Sequence, residues 1–386
     1  MSRTAGAIQE LDGLRGIAIL LVLLRHGSRL FVRDGEPAFG VHAGWLGTWD
    51  LASPLVNGWA GVDLFFVLSG FLITHYILKR CEGGRLRTGL RRYVAKRMLR
   101  IVPAYYAFLA VVVLGLVPGY AVSDHQLGFR VSYHLLFLQD YLPADIVVAF
   151  WSLGVEEKFY LAAPLLILAV LRAERPGARL AMMAALFTAP LVFRVATYLA
   201  LSGPLHYDTS FFVLRSPFHL SADALIVGTA CGFVYHAHQR GELRVRPGLA
   251  TGLFWGGLLT VATLLGSHRL LDAISWFDAT LLFSVLALGF GALLLGLVLH
   301  RGRHGAFFRG RSLFFFSKIS YSLYLVHMVF LVSTYHLVDG WIGLDRHPVW
   351  LGMLVYLPVY GAVSIGAALV LHYAVEKPFL VLKDRV

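Results

Sequence analysis

The chain has 386 residues, of which 58% are hydrophobic and only 15% charged, with a mean hydropathy of +0.70. A water-soluble domain carries about 25% charged residues, so the composition excludes a soluble enzyme and places the chain among polytopic membrane proteins. The net charge of +12 invites nucleic-acid binding, and the way that charge is distributed excludes it.

About ten apolar segments follow in chain order, at 14–33, 58–79, 100–118, 150–171, 180–201, 217–237, 248–266, 277–299, 316–336 and 349–373. Most are near the roughly 20 residues that cross a bilayer as helix. With the N-terminus in the cytoplasm, the basic residues crowd into the cytoplasmic segments. These hold Arg3, Lys79 to Arg100, Arg172 to Arg179, Arg240 to Arg246, Arg301 to Lys318, and Lys377 to Arg385. The outer loops hold Arg33, Arg130, Arg215, Arg269 and Arg346. This positive-inside asymmetry predicts an all-α polytopic membrane protein, a bundle of about ten transmembrane helices with both termini cytoplasmic. No stretch is long and polar enough for a soluble domain, and no internal repeat is evident, so one domain over 1–386 is expected. Cys81 falls in the basic loop after the second segment and Cys231 within a helix, which gives no disulfide framework. The first segment is read as retained, because it carries Arg25 and His26 at its middle and no clear cleavage site follows it.

The first segment also holds the strongest chemical signal. Charge inside a bilayer is costly and marks a functional site by default. Asp12 and Arg15 are three residues apart and can pair. Arg15 and His26 are eleven apart, about three turns and 20°, so both lie on one helix face about 16 Å apart in depth. The bland alternative is an ion pair at the helix start and a histidine satisfied inside the bundle. The functional one makes His26 a general base or nucleophile. In the second segment, GVDLFFVLSGFLITHYIL at 61–78, Ser69 and Gly70 allow close helix approach. Packing is the favoured role for Ser69 over nucleophilic chemistry, and Asp63 is expected to pair with a neighbouring helix.

The run RRYVAKRMLRIVP predicts an amphipathic lead into the third helix, with Pro103 suited to a first turn. Arg97 and Arg100 share a face there, fit either for bidentate phosphate contact or for lipid headgroups. The outer stretches 34–57 and 119–149 are rich in aromatic and apolar residues, and SYHLLFLQDYLP at 132–143 reads as interfacial or re-entrant. WSLGVEEKFYL at 151–161 then places Glu156, Glu157 and Lys158 at a helix start, with Tyr160 on the same face as either glutamate. One carboxylate there suits the helix dipole; two close together suit divided acid and base roles. In KISYSLYLVH at 318–327, His327 stands above Tyr324 and Ser320, and a structural or binding role is placed ahead of catalysis. No HExxH, CxxC or calcium-loop spacing occurs, so no metal is expected.

Taken together, LDGLRGIAILLVLLRH, GVDLFFVLSGFLIT, RMLRIVPAYY, WSLGVEEKFYL, SYSLYLVH and the closing VEKP resemble the acyltransferase-3 family of integral-membrane acyltransferases, over about residues 9–379. The resemblance implies a roughly ten-helix enzyme that uses cytoplasmic acyl-CoA. It places the family's membrane histidine on His26 and its helix-start arginine on Arg15. The RxxR element falls on Arg97 and Arg100, on the CoA side. WSLxxE falls on Trp151, Ser152, Leu153 and Glu156, and FFxxSG on Phe65, Phe66, Ser69 and Gly70. It further implies a stand-alone member without the fused extracytoplasmic hydrolase-like domain that some relatives carry.

The expected function is O-acyl transfer, of acetyl or another short acyl group, from acyl-CoA to a hydroxyl of a surface polysaccharide or lipid-linked glycan, in the bacterial inner membrane. His26 is the expected base or nucleophile, helped by Glu156 or Glu157 lying close to it. Arg15, Arg97 and Arg100 hold the CoA phosphates. Asp12, Asp63, Ser69, Trp151, Tyr160 and His327 bind substrate or support the site. Acylation of a small secondary metabolite is the second expectation. A flippase for an acylated lipid is a third, and it would call for paired repeats.

Overall fold

The structure is a computed structural model that describes residues 8–31, 40–42, 48–50, 52–82, 86–201, 205–267, 274–300 and 302–385. Arg3, Arg33, Arg85, Arg269 and Arg301 lie outside the described residues, as do the side chains of Cys81, Arg87 and Arg303 and half of the outer stretch 34–57. Ten long helices order the described chain: α1 (Gln9–Arg29), α2 (Ala60–Glu82), α3 (Leu86–Val113), α4 (Trp151–Arg172), α5 (Pro176–Ala200), α6 (Asp223–Gln239), α7 (Pro247–Ser267), α8 (Leu282–Leu299), α9 (Arg311–Ile342) and α10 (Val349–Arg385). One short antiparallel hairpin, Gly40–His42 with Thr48–Asp50, is added to this helical architecture.

Six of these helices, α2, α5, α7, α8, α9 and α10, are long and apolar enough to cross a membrane. The other four have evident reasons to fall short. The helices α1, α3 and α4 carry the charges singled out above, and the 17 residues of α6 rise only about 25 Å. The protein is a multi-pass membrane protein.

Leu11, Leu14, Ala18, Val22 and Arg25 form the buried stripe of α1, with the three-to-four spacing of one helix face. That stripe packs α1 between α2 and α9. The contact of α2 with α6 is closer still. A Cβ on Gly70 would sit 2.1 Å from the Leu225 carbonyl oxygen, and one on Gly228 2.0 Å from that of Val67. No larger residue fits either position without parting the two backbones.

A buried polar knot joins α5, α6 and α8. Arg194 Nη2 donates to Asp223 Oδ2 at 2.7 Å and to Ser284 Oγ at 2.6 Å, and Ser284 Oγ donates to Asp223 Oδ2 at 2.7 Å. Both ion-pair side chains are fully buried. Removing one partner strands a buried charge, which costs about 3–5 kcal/mol, whereas replacing both is often neutral. Arg194→Leu is therefore expected to lower the thermal midpoint in detergent sharply, and Arg194→Leu with Asp223→Leu to recover most of the loss.

Two expectations about helix shape are corrected. Pro103 does not start a helix: α3 runs unbroken from Leu86 to Val113 around it. A proline there removes one backbone donor, and a long apolar half packed into the bundle tolerates that loss. The last two segments are also longer than their hydropathy suggests. A 3-10 turn at His327–Phe330 carries α9 on to Ile342, and a π turn at His372–Glu376 carries α10 on to Arg385. Glu376 of the VEKP motif accepts from Ser322 Oγ at 2.6 Å and pairs with His372 Nδ1 at 2.8 Å, which ties α10 to α9.

Between α3 and α4, residues 132–143 form the end of a short helix (Leu127–Leu135) and a turn. Leu135, Leu136, Leu138 and Tyr141 are exposed, while Gln139 and Asp140 turn inward. Lys158 Nζ donates to Asp140 Oδ1 at 2.5 Å and to the Phe137 carbonyl at 2.7 Å. Burial nevertheless pushes the Asp140 carboxyl above its ordinary pKa, against the pull of Lys158.

Candidate active site

Two cavities meet inside the bundle. The first, about 80 Å³, is lined by Arg15 of α1, Ser69 of α2, Arg97 and Arg100 of α3, and Glu156 and Tyr160 of α4. Helix periodicity brings these groups together: Arg97 with Arg100 at i, i+3, and Glu156 with Tyr160 at i, i+4. Ser69 Oγ donates to Glu156 Oε1 at 2.8 Å and lies 3.3 Å from the Tyr160 hydroxyl. The Arg97 guanidinium sits 5.0 Å from the centre of the Tyr160 ring, a cation–π distance. Tyr93 Oη donates to the Tyr160 carbonyl at 2.9 Å and so fixes that turn of α4. Arg15 has Asp12 at 3.7 Å, and Asp12 also accepts from Ser317 Oγ at 3.3 Å. Among the described residues, Arg97 and Arg100 form no salt bridge; Arg97 has the Tyr93 hydroxyl as a hydrogen-bond partner, and a guanidinium's five donors leave others for an anion.

The second cavity, about 560 Å³, is lined from the other half of α1 by Arg25, His26 and Arg29. Trp59, Trp151, Tyr207, Phe211, Arg215 and Phe283 contribute further walls. Val62 and Tyr324 line both cavities and form the partition between them. Tyr324 Oη is held there, donating to the Ala149 carbonyl at 2.8 Å and lying 2.5 Å from Ser152 Oγ.

At the partition two imidazoles meet. His327 Nδ1 is 2.8 Å from the Tyr324 carbonyl, and His327 Nε2 is 3.2 Å from His26 Nδ1. His26 Nδ1 is in turn 2.9 Å from the Val22 carbonyl. A carbonyl only accepts, so each Nδ1 must carry the proton. His327 Nε2 is then an acceptor, His26 Nδ1–H is shared between it and Val22, and the lone pair of neutral His26 is left on Nε2. This assignment follows from the hydrogen-bond network. It leaves the part-buried His26, in the second cavity, equipped as a base.

The sequence had placed a carboxylate beside His26, and here the structure differs. Glu156 lies across the partition, in the first cavity. Glu157 is buried among core side chains with Oε1 unpartnered and lines neither cavity. The group against His26 is His327. The favoured packing role for Ser69 is likewise incomplete, since its hydroxyl holds Glu156. Asp63 accepts from Arg215 Nη2 at 2.7 Å, and Arg215 also lies 5.1 Å from the Trp151 ring centre. The sequence marks Arg215 only as an outer-loop charge, and Arg25 as one of several intramembrane charges of the first segment with no role assigned to it. The tandem of Arg25 and His26 inside an apolar helix was a legible signal. The position of Arg215, set by an irregular π-helical turn at Ser210–Arg215, was not. Among the described residues no group of three or more His, Cys, Asp or Glu is placed to hold a metal ion.

The pairing predicts a separable effect for His327. His327→Leu removes one of the two acceptors of the His26 Nδ1–H, the one that steadies the imidazolium, and is expected to lower kcat ~10²-fold with little change in KM for the donor. His327→Gln, which keeps a side-chain acceptor, is expected to restore part of that loss. Steady-state kinetics on both variants check this. Equal losses in the two would mean that His327 serves packing alone.

A family described as an acyltransferase domain matches residues 8–373. Among curated proteins, a provisionally named acetyltransferase, ORF330 of the Acidianus two-tailed virus, is 37% identical over 110 residues, 28% of this chain and 31% of that protein. The peptidoglycan O-acetyltransferase OatA of Listeria monocytogenes is 28% identical over 182 residues, 43% of this chain and 25% of its own. A provisionally named peptidoglycan O-acetyltransferase of Bacillus subtilis, YrhL, is 28% identical over 187 residues, 45% and 26% of the two chains. The chain therefore spans about a quarter to a third of the length of these relatives. No solved structure matches it.

Proposed function

This chain belongs to the Acyl_transf_3 family of acyltransferase domains, and from that premise we propose that it moves an acetyl or other short acyl group from acyl-CoA to a hydroxyl of a carbohydrate in a surface or lipid-linked glycan. The observation that carries this reading is the pair of cavities. One is edged by three arginines, the other holds a histidine with an available lone pair, and one tyrosine stands between them. The positive-inside distribution of basic residues puts the first cavity on the cytoplasmic side, where acyl-CoA is found, and the chain termini with it.

In this mechanism Arg15, Arg97 and Arg100 hold the CoA phosphates by charge-assisted hydrogen bonds. The thioester arm runs past Tyr160 and Ser69 to the partition. Tyr324, which lines both cavities, turns aside to let the acyl group reach His26. The acceptor hydroxyl enters the second cavity against His26 Nε2. As its oxygen attacks the thioester carbonyl carbon, Nε2 takes the hydroxyl proton, and the Nδ1–H held by His327 steadies the imidazolium. Collapse of the tetrahedral intermediate breaks the carbon–sulfur bond. The imidazolium returns its proton to the departing CoA sulfur, leaving an O-acyl ester and free CoA. Glu156, through Ser69 and Tyr160, sets the wall along which the arm lies.

Purified protein in nanodiscs, given labelled acetyl-CoA and a panel of glycans, is expected to release CoA and produce a glycan heavier by one acetyl group. Absence of both on every acceptor counts against the reading. The two glutamates are expected to separate in the same assay. Glu156→Gln should lower kcat/KM for acyl-CoA by about tenfold or more, through the loss of a charged hydrogen-bond acceptor. Glu157→Gln should leave it near wild type.

A further inference from the structure

The second cavity contains more positive charge than the transfer step uses. Arg25 is 2% exposed, and neither Nη1 nor Nη2 has a hydrogen-bond partner. Its polar partner is the Tyr207 hydroxyl, a neutral hydrogen-bonding group, on the ring that the exposed Arg29 caps at 4.7 Å. Arg215 adds a third guanidinium with Nη1 unpartnered, although its Nη2 is committed to Asp63. Among the described residues, Asp208 is the one carboxylate lining this cavity, and it forms no salt bridge with Arg25 or Arg29. Stranding a guanidinium at membrane depth is costly. Among the described residues no carboxylate pairs with Arg25, and the Tyr207 hydroxyl is a neutral partner that does not balance its charge. A ligand oxyanion would.

We propose that this cavity selects an acceptor bearing an oxyanion, a phosphate or a carboxylate, gripped by Arg25 and Arg29 so that a hydroxyl of the same molecule meets His26. The assignment rests on the acyl-transfer reading above and specifies its acceptor. Arg25 and His26 are adjacent, with Cα atoms about 3.8 Å apart, so the anion and the reacting hydroxyl belong to the same sugar or to neighbouring ones. The planar guanidinium fork matches both phosphate and carboxylate. The aromatic walls, Trp59, Trp151, Phe211 and Phe283, offer flat apolar faces for the C–H side of a pyranose ring. A neutral sugar would use those faces and leave Arg25 unsatisfied.

The test uses the whole protein in nanodiscs at low salt, titrated calorimetrically with glucose 1-phosphate, glucuronate and glucose. At least one of the anionic sugars is expected to bind about tenfold or more tightly than glucose, and the two arms identify which oxyanion the cavity takes. Arg25→Met should remove that advantage and Arg25→Lys retain part of it. Equal affinity for glucose and both anions, or full anion affinity in Arg25→Met, overturns the proposal. If Arg25→Met does not fold, the three-sugar comparison on the wild-type protein decides alone. CoA release from acetyl-CoA separates this inference from the one beneath it. Release stimulated by neutral sugars and not by anionic ones overturns the anionic acceptor and leaves transfer standing. Tight anion binding with no CoA release on any acceptor overturns both.

Discussion

His26→Ala is expected to lower kcat about 10²–10⁴-fold, the usual contribution of a positioned general base, with helix content and membrane insertion unchanged. The size follows from what is lost. His26 is the side chain at the partition with both a fixed tautomer and a lone pair left over, because its Nδ1 is committed to Val22 and His327. No carboxylate among the described residues hydrogen-bonds it or stands ready to replace it. Folding should tolerate the change, since His26 is part-buried and lines a cavity, so no packed contact of the size of a buried leucine is removed. Glutamine at the same position offers hydrogen bonds without a usable base and should be as inactive as alanine. Turnover near wild type in either variant would remove His26 from the chemistry.

Arg97→Ala combined with Arg100→Ala is expected to raise the KM for acyl-CoA far more than that for the acceptor. Each lost hydrogen bond to a charged group costs about 1.5–3 kcal/mol, roughly 10- to 150-fold per arginine if both grip phosphate. Substitution by lysine should recover only part, because a point charge does not reproduce the bidentate fork. A fall in acceptor affinity with donor affinity intact would assign these arginines to the other side of the reaction. The partition makes this outcome decisive, since Arg97 and Arg100 line only the first cavity and His26 only the second.

Much of this arrangement is legible in the chain. The cost of intramembrane charge picks out Arg15 and His26 before any fold is known, and helix periodicity sets Arg97 and Arg100 on one face at the cytoplasmic boundary and Glu156 and Glu157 together at a helix start. Distances between segments are another matter. Glu156 and Glu157 look equivalent by position, yet neighbours on a helix point about 100° apart, and only the packing of α4 against α2 turns Glu156 toward Ser69. Ranking His327 below catalysis was reasonable for a lone helical histidine. The contact that changes its role comes from α1, 301 residues away in sequence. Arg25 is legible as an intramembrane charge, but the sequence gives it no role, because it stands beside the stronger signal of His26. The extent of α9 and α10 was hidden because 3-10 and π turns carry no hydropathy signature.

The two-cavity account makes one claim that a single measurement can test. Vesicles containing the purified protein are given labelled acetyl-CoA outside only and acceptor glycan inside only, neither able to cross the bilayer. If the partition joins a donor cavity on one face to an acceptor cavity on the other, acetylated glycan accumulates inside the vesicles, and His26→Ala abolishes it. Product formed only when donor and acceptor share the same side would contradict transfer across the partition.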